Sequence, residues 1–281
     1  MKKSLDLGNI SITWLNGGEF ELDGGTMFGP VPKLLWNKKY PSDHDNNIKM
    51  LNAPLLIETP LSKVLIDTGL GNKLSDKEID IFRVTKPWSV VADLAAMGID
   101  REGIDYVILT HCDFDHAGGI VMHSDQGKPE LTFPKARHIV QKKEWEDVTH
   151  PNSRAAHSYW PHNFTGLEAS GLLEIVKGDH EVVPGITVSL TGGHTRGHQI
   201  ATIAGKKECA VHLGDLLPLH SHFNPLWIMA YDNFPLDIIE QKEKILPFYA
   251  SQNYWFTFYH DIYMKACQFD SFGSTKATWH D

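Results

Sequence analysis

Four clusters of histidine and aspartate stand directly after apolar, β-branched segments of the sequence. The densest is 111–116 (His-Cys-Asp-Phe-Asp-His), and the others contain His194, Asp215 and His260. Imidazole and carboxylate groups are suitable ligands for zinc, manganese, iron or cobalt. So many polar groups after a buried strand need a partner, and two divalent cations would supply it. The pattern therefore predicts a dinuclear metal centre.

The segments that precede these clusters are predicted to be β-strands. Alternating or β-branched apolar residues predict strands over 10–15, 54–58, 63–67, 105–110, 186–190, 200–204, 209–213 and 254–259, with a hairpin joining the second and third. Amphipathic spacing predicts helices over 88–97, 141–148 and 236–246, the last ending before Pro247. The segments 17–47 and 152–171 are predicted to be long loops. Because sites collect at strand ends, the four clusters can assemble one site on an α/β sandwich.

The composition narrows the possible partners and location. The chain has 281 residues, 42% of them hydrophobic, and a formal net charge of −9. The absence of a linker or repeat predicts one domain over 1–281. The acidic balance argues against nucleic acid and anionic membranes as partners, and no apolar stretch approaches the roughly 18 residues of a membrane span.

The expected location follows from the first residues and from the cysteines. The first residues lack the apolar run of a signal peptide, and three cysteines cannot all pair in disulfides, which fits a reducing compartment. These features favour the cytoplasm.

The four clusters together resemble the signature of the metallo-β-lactamase superfamily. That signature is His-x-His-x-Asp-His, followed downstream by Gly-x-His, an aspartate and a final histidine. The resemblance extends from 64–69 to His260. Within the superfamily, the segments 16–18, 27–29, 227–231 and 258–261 are similar to the branch of quorum-quenching N-acyl-homoserine lactonases. The resemblance implies an αββα sandwich, in which two mixed β-sheets are flanked by helices.

The resemblance also implies seven ligands in two sets that share one carboxylate. The sets are His111, Asp113 and His194 for one ion and Asp115, His116 and His260 for the other, with Asp215 bridging the two. Asp113 stands where the family commonly has histidine, so the first set is richer in oxygen. The resemblance makes zinc the expected metal, and the oxygen-rich first set makes manganese or iron the alternatives.

Three further residues near the predicted ligands are given supporting roles. Asp67 is expected to hold a ligand imidazole by its second nitrogen, with a plain turn residue as the alternative. His198 resembles a residue that anchors the backbone behind the ligands. Cys112 lies between two ligands, and strand alternation points its side chain away from the metals, which predicts packing in the core.

The activity implied by the resemblance is hydrolysis of a small ester-like substrate, above all a lactone such as an N-acyl-homoserine lactone. A hydroxide that bridges the two metals would attack the carbonyl carbon, oriented by Asp115 and Asp215 as catalytic residues. The branch often has a tyrosine that assists the carbonyl, but Pro218 and Leu219 offer none. The metal, His220, His222 or a tyrosine from elsewhere such as Tyr231 would then take this role.

An apolar substrate cleft is expected from aromatic and sulfur-containing side chains, although such residues also build cores. The candidates are Met27, Phe28, Trp36, His220, His222, Phe223 and Trp227. A homodimer is a further expectation.

Other functions stay open at this point. Di-iron oxidoreductases of the same superfamily carry a carboxylate at the position of Asp113, but the sequence after His260 leaves no room for a flavin module. Phosphotriesters are an alternative substrate class. A metal-stabilised binding module is a non-catalytic alternative, disfavoured because structural metal sites are usually closed shells of four ligands. The Gly-x-Ser-x-Gly motif of serine hydrolases is absent.

Overall fold

A computed structural model describes residues 3–280 of the chain. The strands are β1 (Leu5–Asp6), β2 (Ser11–Trp14), β3 (Glu19–Asp23), β4 (Asn47–Leu51), β5 (Leu55–Glu58), β6 (Lys63–Ile66), β7 (Tyr106–Ile108), β8 (Val121–His123), β9 (Pro129–Leu131), β10 (Arg137–Gln141), β11 (Leu173–Val176), β12 (His180–Val183), β13 (Ile186–Leu190), β14 (Gln199–Ala204), β15 (Cys209–His212), β16 (Trp255–Thr257), β17 (Ala266–Phe269) and β18 (Thr275–Trp279). The α-helices are α1 (Gly24–Phe28), α2 (Lys33–Trp36), α3 (Asp76–Ile81), α4 (Val90–Ala96), α5 (Phe114–Ala117), α6 (Lys142–Thr149) and α7 (Pro235–Ser251).

Two seven-stranded mixed sheets form the centre of the fold. The first has the order β1-β2-β5-β6-β7-β10-β11, and the second runs from β12 to β18 in sequence order. In the first sheet β6, β7, β10 and β11 are parallel neighbours, and in the second only β15 and β16 are parallel. The remaining pairings in both sheets are antiparallel, and two small hairpins, β3–β4 and β8–β9, complete the strands.

The apolar side chains sort into layers that explain why the sheets stack. On β5 and β6, residues 55, 57, 64 and 66 face the second sheet and form the central core with Ile186, Val188 and Ile203. The alternate residues Leu56 and Leu65 face outward and are covered by α4 and α6. On the other side α7 covers Ile200 and Val211. The predicted αββα sandwich is therefore confirmed, with strands buried on both faces as a covered sheet requires.

The topology brings the polar strand ends to one edge of the sandwich. The strands β13, β15 and β16 run in the same direction, because β13 and β15 are both antiparallel to β14 and β16 is parallel to β15. The ends of β6 and β7 in the first sheet meet them, since Gln199 donates hydrogen bonds to the backbone of Thr110 and Leu109. Loops that carry the four clusters thus converge on one place.

Two expectations about local structure were wrong. The segment 17–47 is not a single loop: it contains β3, α1 and α2, and its glycines concealed the alternation of Phe20 and Leu22. The last helix does not end before Pro247 but continues to Ser251. Proline removes a hydrogen bond to the carbonyl four residues earlier, and here both Glu243 and Pro247 lie on the exposed side of α7, where water can satisfy that carbonyl.

Within residues 3–280, no helix combines the length and the apolar character that crossing a membrane requires.

Candidate metal centre

The structure brings all seven predicted ligands together at the edge where the strand ends converge. Three groups of side chains have donor atoms close enough to share an ion, and together they contain every one of the seven. The groups are His111 with Asp113 and His194, Asp115 with His116 and His260, and His111 with His116 and Asp215. The first two are the two sets expected from the sequence, and their role as ligands stays a prediction.

Asp215 lies between the two sets and presents one oxygen to each. Its Oδ1 is 3.3 Å from the Nε2 atoms of both His116 and His260, and its Oδ2 is 3.5 Å from Nε2 of His194. When ligands bind at about 2.0–2.2 Å in tetrahedral geometry, neighbouring ligand atoms lie about 3.3–3.6 Å apart. The carboxylate of Asp215 therefore has the position that a bridging ligand would occupy.

The carboxylates of Asp113 and Asp115 complete the two sets at similar distances. Asp113 Oδ2 is 3.4 Å from Nε2 of His194 and 3.7 Å from Nε2 of His111. Asp115 Oδ2 is 3.7 Å from Nε2 of His260 and 3.8 Å from Nε2 of His116. Each ion would thus meet two imidazoles and one carboxylate before the shared oxygen of Asp215.

When the four imidazoles are neutral, their hydrogen bonds through Nδ1 leave a lone pair on the inward nitrogen of each ring. The Nδ1 atom of His260 donates to the carbonyl of Leu51, that of His116 to Asp67, that of His194 to Asp232, and that of His111 to Thr110 Oγ1. A neutral ring with hydrogen on Nδ1 has none on Nε2. All four Nε2 atoms are therefore free to bind a cation.

The inward atoms lack protein partners, as expected of a site that binds metal ions. Among the described residues, the buried Nε2 atoms of His111 and His194 and Oδ1 of Asp215 make no hydrogen bond. The Nε2 atoms of His116 and His260 face each other at 3.1 Å, so a proton or a metal ion must lie between the two lone pairs. Buried polar atoms without partners are costly, so the residues present fit the two ions implied by the sequence.

The charge of the imidazoles and carboxylates is set by burial and by their mutual proximity. Burial lowers the pKa of His111 well below its usual value, and the neighbouring imidazoles of His116 and His194 add to this effect. Burial alone would raise the pKa of Asp215, but the imidazoles of His116 and His260 outweigh it and hold that pKa well below its usual range. Burial alone would lower the pKa of His116 and His194, but Asp215 beside His116 and Asp113 beside His194 outweigh it and raise both pKa values well above the usual value. These two imidazoles therefore hold protons that metal ions would displace on binding.

Asp67 holds the imidazole of His116, as the resemblance implies. It lies directly after β6, and its Oδ2 accepts a hydrogen bond of 2.9 Å from His116 Nδ1 and one of 2.7 Å from Thr110 Oγ1. Its Oδ1 accepts from the backbone N–H of Thr110. The backbone of Asp67 is left-handed, with φ at 57°, a conformation that is uncommon outside glycine. Such strain is found where the surroundings fix a side chain for function.

Asp232 holds the imidazole of His194 in the same way, a role that was not predicted from the sequence. Its Oδ1 lies 2.9 Å from His194 Nδ1, and its Oδ2 accepts from the backbone N–H of Met229. Asp232 lies in a loop before α7, after no recognisable strand, so no pattern marks it. The loop is tied to His194 a second time, because Asn233 donates from its backbone and from its side chain to the carbonyl of His194.

His198 anchors the backbone of Asp215 and is not among the grouped donor atoms. Its Nε2 accepts a hydrogen bond of 3.2 Å from the N–H of Asp215, and its Nδ1 lies 2.8 Å from Thr191 Oγ1. Gly214, with φ at 49°, precedes Asp215, and a side chain there would meet His198 Nε2 at 2.8 Å. Glycine at this position therefore lets the imidazole approach the backbone of Asp215.

Glu144 on α6 joins the two loops that carry the first ligand set, and it too was not predicted. Its Oε1 accepts hydrogen bonds from the N–H of Cys112 and from Tyr159 Oη, and its Oε2 accepts from Thr195 Oγ1. Burial raises the pKa of Glu144 to about 7. The Cys112 side chain is fully buried in the core outside the sheet, which confirms its expected packing role.

A small cavity of about 100 Å³ opens over the metal centre. Besides Asp113, Asp115, His194, Asp215 and His260, mainly apolar side chains line it. They are Phe20, Leu22, Met27, Met50, Phe82 and Phe114, with Ser158 and Tyr231 as the polar exceptions.

Only Met27 of the seven expected pocket residues lines this cavity. Phe28, Trp36 and His222 are buried and form a stack, with ring centroids 4.9 Å apart for Phe28 and Trp36 and 4.7 Å apart for Phe28 and His222. The Nε2 atom of His222 bonds to the carbonyl of Met27. The aromatic side chains thus pack against each other beneath the site rather than at it.

The remaining three expected pocket residues line a different cavity. His220, Phe223 and Trp227 surround a space of about 440 Å³ beside α7 that shares no lining residue with the cavity over the metal centre. The Nδ1 atom of His220 lies 2.5 Å from Asp261 Oδ2, on the carboxylate that follows His260. The residues Phe20, Phe82 and Phe114, which do line the site, were not singled out from the sequence.

Comparison with known proteins agrees with this geometry. Residues 53–246 match the Metallo-beta-lactamase superfamily. The N-acyl homoserine lactonase AiiA of Bacillus thuringiensis subsp. kurstaki is 29% identical over 180 residues, which make up 59% of this chain and 64% of that protein. The match thus spans less than two thirds of the length of this relative.

Solved structures extend the similarity to almost the whole chain. A structure described as a probable metal-dependent hydrolase from Staphylococcus aureus is 39% identical, covers 99% of both chains and superposes with a TM-score of 0.93. AidC, a dizinc quorum-quenching lactonase in complex with a product, is 22% identical over 96% of this chain and 93% of its own, with a TM-score of 0.76, and shares the fold. The family match covers more than half of the chain, and the solved structures share its fold. The chain therefore belongs to the metallo-β-lactamase superfamily.

Proposed function

We propose that the protein is a metal-dependent hydrolase that opens the ring of a lactone, with N-acyl homoserine lactones as the leading substrate class. The observation that carries the proposal is the arrangement around Asp215, whose two oxygens face the two ligand sets while the Nε2 atoms of all four imidazoles point into the cluster. The lactonase relatives supply the substrate class.

His111, Asp113 and His194 would hold one ion and Asp115, His116 and His260 the other, with Asp215 shared. When bound, two divalent ions polarise a carbonyl oxygen and lower the pKa of water to about 7. Zinc is the leading candidate, because imidazole nitrogen and carboxylate oxygen are typical ligands of catalytic zinc. Asp113 in place of an imidazole keeps manganese and iron as alternatives.

The carboxylates of Asp115 and Asp215 would orient the attacking water and accept its proton. Both face the cavity and lie between the imidazoles of the second set. With Asp113 they supply three negative charges, which offset most of the charge of two dications. The attack would take place beneath Phe20, Phe82 and Phe114, whose side chains keep bulk water away from the scissile bond.

Tyr231 is the residue we propose to assist the carbonyl. It lines the cavity, and its hydroxyl lies 2.8 Å from Thr26 Oγ1. Burial raises the pKa of Tyr231, so the hydroxyl keeps its proton at neutral pH and can donate it to a substrate oxygen. His220 and His222, the other candidates from the sequence, do not line this cavity.

Three broader features remain proposals: one domain over residues 1–281, a homodimer, and a location in the cytoplasm. The three free cysteines, Cys112, Cys209 and Cys267, support a reducing compartment. Light scattering of the purified protein tests the homodimer, and limited proteolysis tests the single domain.

The test of the function is a comparison of metal-free and metal-loaded protein. Protein stripped with a chelator is reloaded with zinc, manganese or iron(II), and acid release from N-hexanoyl-homoserine lactone, γ-nonalactone, a phosphotriester and a β-lactam is followed with a pH indicator. The proposal expects lactone opening that requires metal, is lost in His260→Ala and is retained in His123→Ala, which alters an exposed histidine. Lactone opening that survives the chelator, or turnover of phosphotriesters without lactones, contradicts it.

A further inference from the structure

The cavity over the metal centre continues into a second, larger cavity of different character. The second cavity measures about 400 Å³, and Asp113, Ser158 and Tyr231 line both. A substrate whose scissile bond lies at the metal centre can therefore extend past these three residues into the second cavity.

The linings of the two cavities differ in the charged and polar side chains they contain away from the metal centre. Six apolar side chains surround the small cavity, whereas the large one adds Thr26, Arg154, His157 and Asn233 together with Ala155, Tyr159 and Ala230 to the shared residues. The small cavity suits a hydrocarbon group. The large one offers hydrogen-bond donors and one permanent positive charge, so it suits a polar or charged group.

Arg154 is the residue in this lining that lacks a counter-charge. Within residues 3–280, the other four arginines each pair with at least one carboxylate, while Arg154 pairs with none. Its Nη2 donates to the carbonyls of Ala230 and Asp232, at 2.6 and 3.4 Å. Its Nε and Nη1 make no hydrogen bond with the described residues, so the two backbone contacts fix the guanidinium and leave these donors available.

We propose that the second cavity binds an anionic group of the substrate, a carboxylate in particular, through Arg154. The planar guanidinium with two donors free matches a carboxylate, which accepts hydrogen bonds through both oxygens. His157 stands on the same wall and adds a second donor. Asp113 is the one carboxylate in the wall, and its Oδ2 already faces the imidazoles of His111 and His194, at 3.7 and 3.4 Å from their Nε2 atoms. Among lactones, the second cavity thus favours those with an apolar portion and a carboxylate on the side chain over uncharged ones such as simple N-acyl homoserine lactones, and this assignment rests on the proposed lactone hydrolysis.

The experiment compares two lactones that differ only at the end of the side chain. One is γ-nonalactone, and the other carries a carboxylate in place of its terminal methyl group. Both are assayed with the wild-type protein and with Arg154→Met, Arg154→Lys and the control Arg137→Met, which removes an exposed arginine paired with Glu174. Binding of the same two compounds to the metal-free proteins is measured by calorimetry, where no turnover occurs.

The wild type is expected to prefer the carboxylate lactone. Arg154→Met should raise KM and the dissociation constant for that compound about 10-fold, the effect of losing a charge-assisted hydrogen bond, while leaving kcat and the kinetics of γ-nonalactone unchanged. Arg154→Lys should recover part of the loss, and Arg137→Met should have no effect.

An equal loss for both lactones in Arg154→Met overturns the proposal, because it would mean that Arg154 only supports the loop of Asp232. A wild type that does not distinguish the two compounds in turnover or in binding also overturns it. If neither lactone is hydrolysed but the metal-free protein binds the carboxylate compound through Arg154, the proposed function fails while the anion site stands.

Discussion

The carboxylate of Asp232 holds the imidazole of His194 from a loop far away in the sequence, at 2.9 Å between Oδ1 and Nδ1. Both side chains are almost completely buried. The second oxygen of Asp232 is occupied by the N–H of Met229. The carboxylate therefore has two fixed partners and determines which nitrogen of His194 faces the metal centre.

We predict that Asp232→Asn lowers the affinity for the ion held by His111, Asp113 and His194. The loss of a carboxylate partner behind a ligand histidine typically costs about 10- to 100-fold in metal affinity. Competition with a chromophoric chelator measures it, with Asp237→Asn, an exposed change on α7, as the control. Unchanged affinity for both ions would show that the pair of Asp232 and His194 is unimportant for binding.

We predict that Asp67→Asn destabilises the metal-free protein and lowers the affinity for the ion held by His116. Asparagine tolerates the left-handed backbone at φ 57°, so the change isolates the carboxylate. An amide has one accepting oxygen for the three donors that now share the carboxylate, which leaves a buried donor unpaired at a cost of about 1–3 kcal/mol. Urea unfolding without metal measures this cost. A free energy of unfolding equal to that of the wild type would contradict the assigned role.

Glu144 should be among the most sensitive positions outside the metal centre. Glu144→Ala leaves the buried donors of Cys112, Tyr159 and Thr195 without their common acceptor, and we expect a loss of about 3 kcal/mol or more in the free energy of unfolding. Lys143→Ala, an exposed change on the same helix, is the control. If the two variants unfold at the same denaturant concentration, Glu144 does not join the ligand loops as described.

Lys242 should make the stability depend on pH. It is buried on α7 and donates to the carbonyl of Trp227, and burial lowers its pKa from 10.5 to about 7. Between these two pH values the unfolded chain binds one proton more than the folded protein does. Stability should therefore rise with pH across this window, at up to about 1.4 kcal/mol per pH unit.

Thermal unfolding from pH 7 to 10 tests this prediction. The rise should be absent in Lys242→Met and present in Lys244→Met, whose exposed lysine pairs with Glu240. A parallel pH dependence in Lys242→Met and the wild type would show that the lysine is not the source.

The convergence of the seven candidate ligands could be predicted from the sequence, because their positions follow from strand ends. An apolar run must end at the edge of a sheet, and polar residues that follow it at four places must lie near one another if the strands share a direction. Asp67 also follows β6 directly, but its expected role came from the resemblance to the superfamily and not from this rule. The rule could not identify Asp232 or Glu144, since one lies in an irregular loop and the other on the side of a helix, where acidic residues are usually exposed.

The cavity lining could not be read from the sequence for a related reason. Phe28, Trp36 and His222 are residue types that often line ligand pockets, yet they stack on each other beneath the cavity over the metal centre. Phe20 and Phe82 reach the site because β3 and the end of α3 fold over the metal centre, and these positions depend on tertiary packing. Residue type predicts burial in such a region but not which side of the cluster faces the ligand.

The most direct test of the account is a crystal of the metal-loaded protein, with the ions located by anomalous scattering and counted by elemental analysis of the same preparation. The account predicts two ions per chain, one among His111, Asp113 and His194 and one among Asp115, His116 and His260, with an oxygen of Asp215 on each. A single ion, no ion, or ions bound elsewhere on the chain would contradict it.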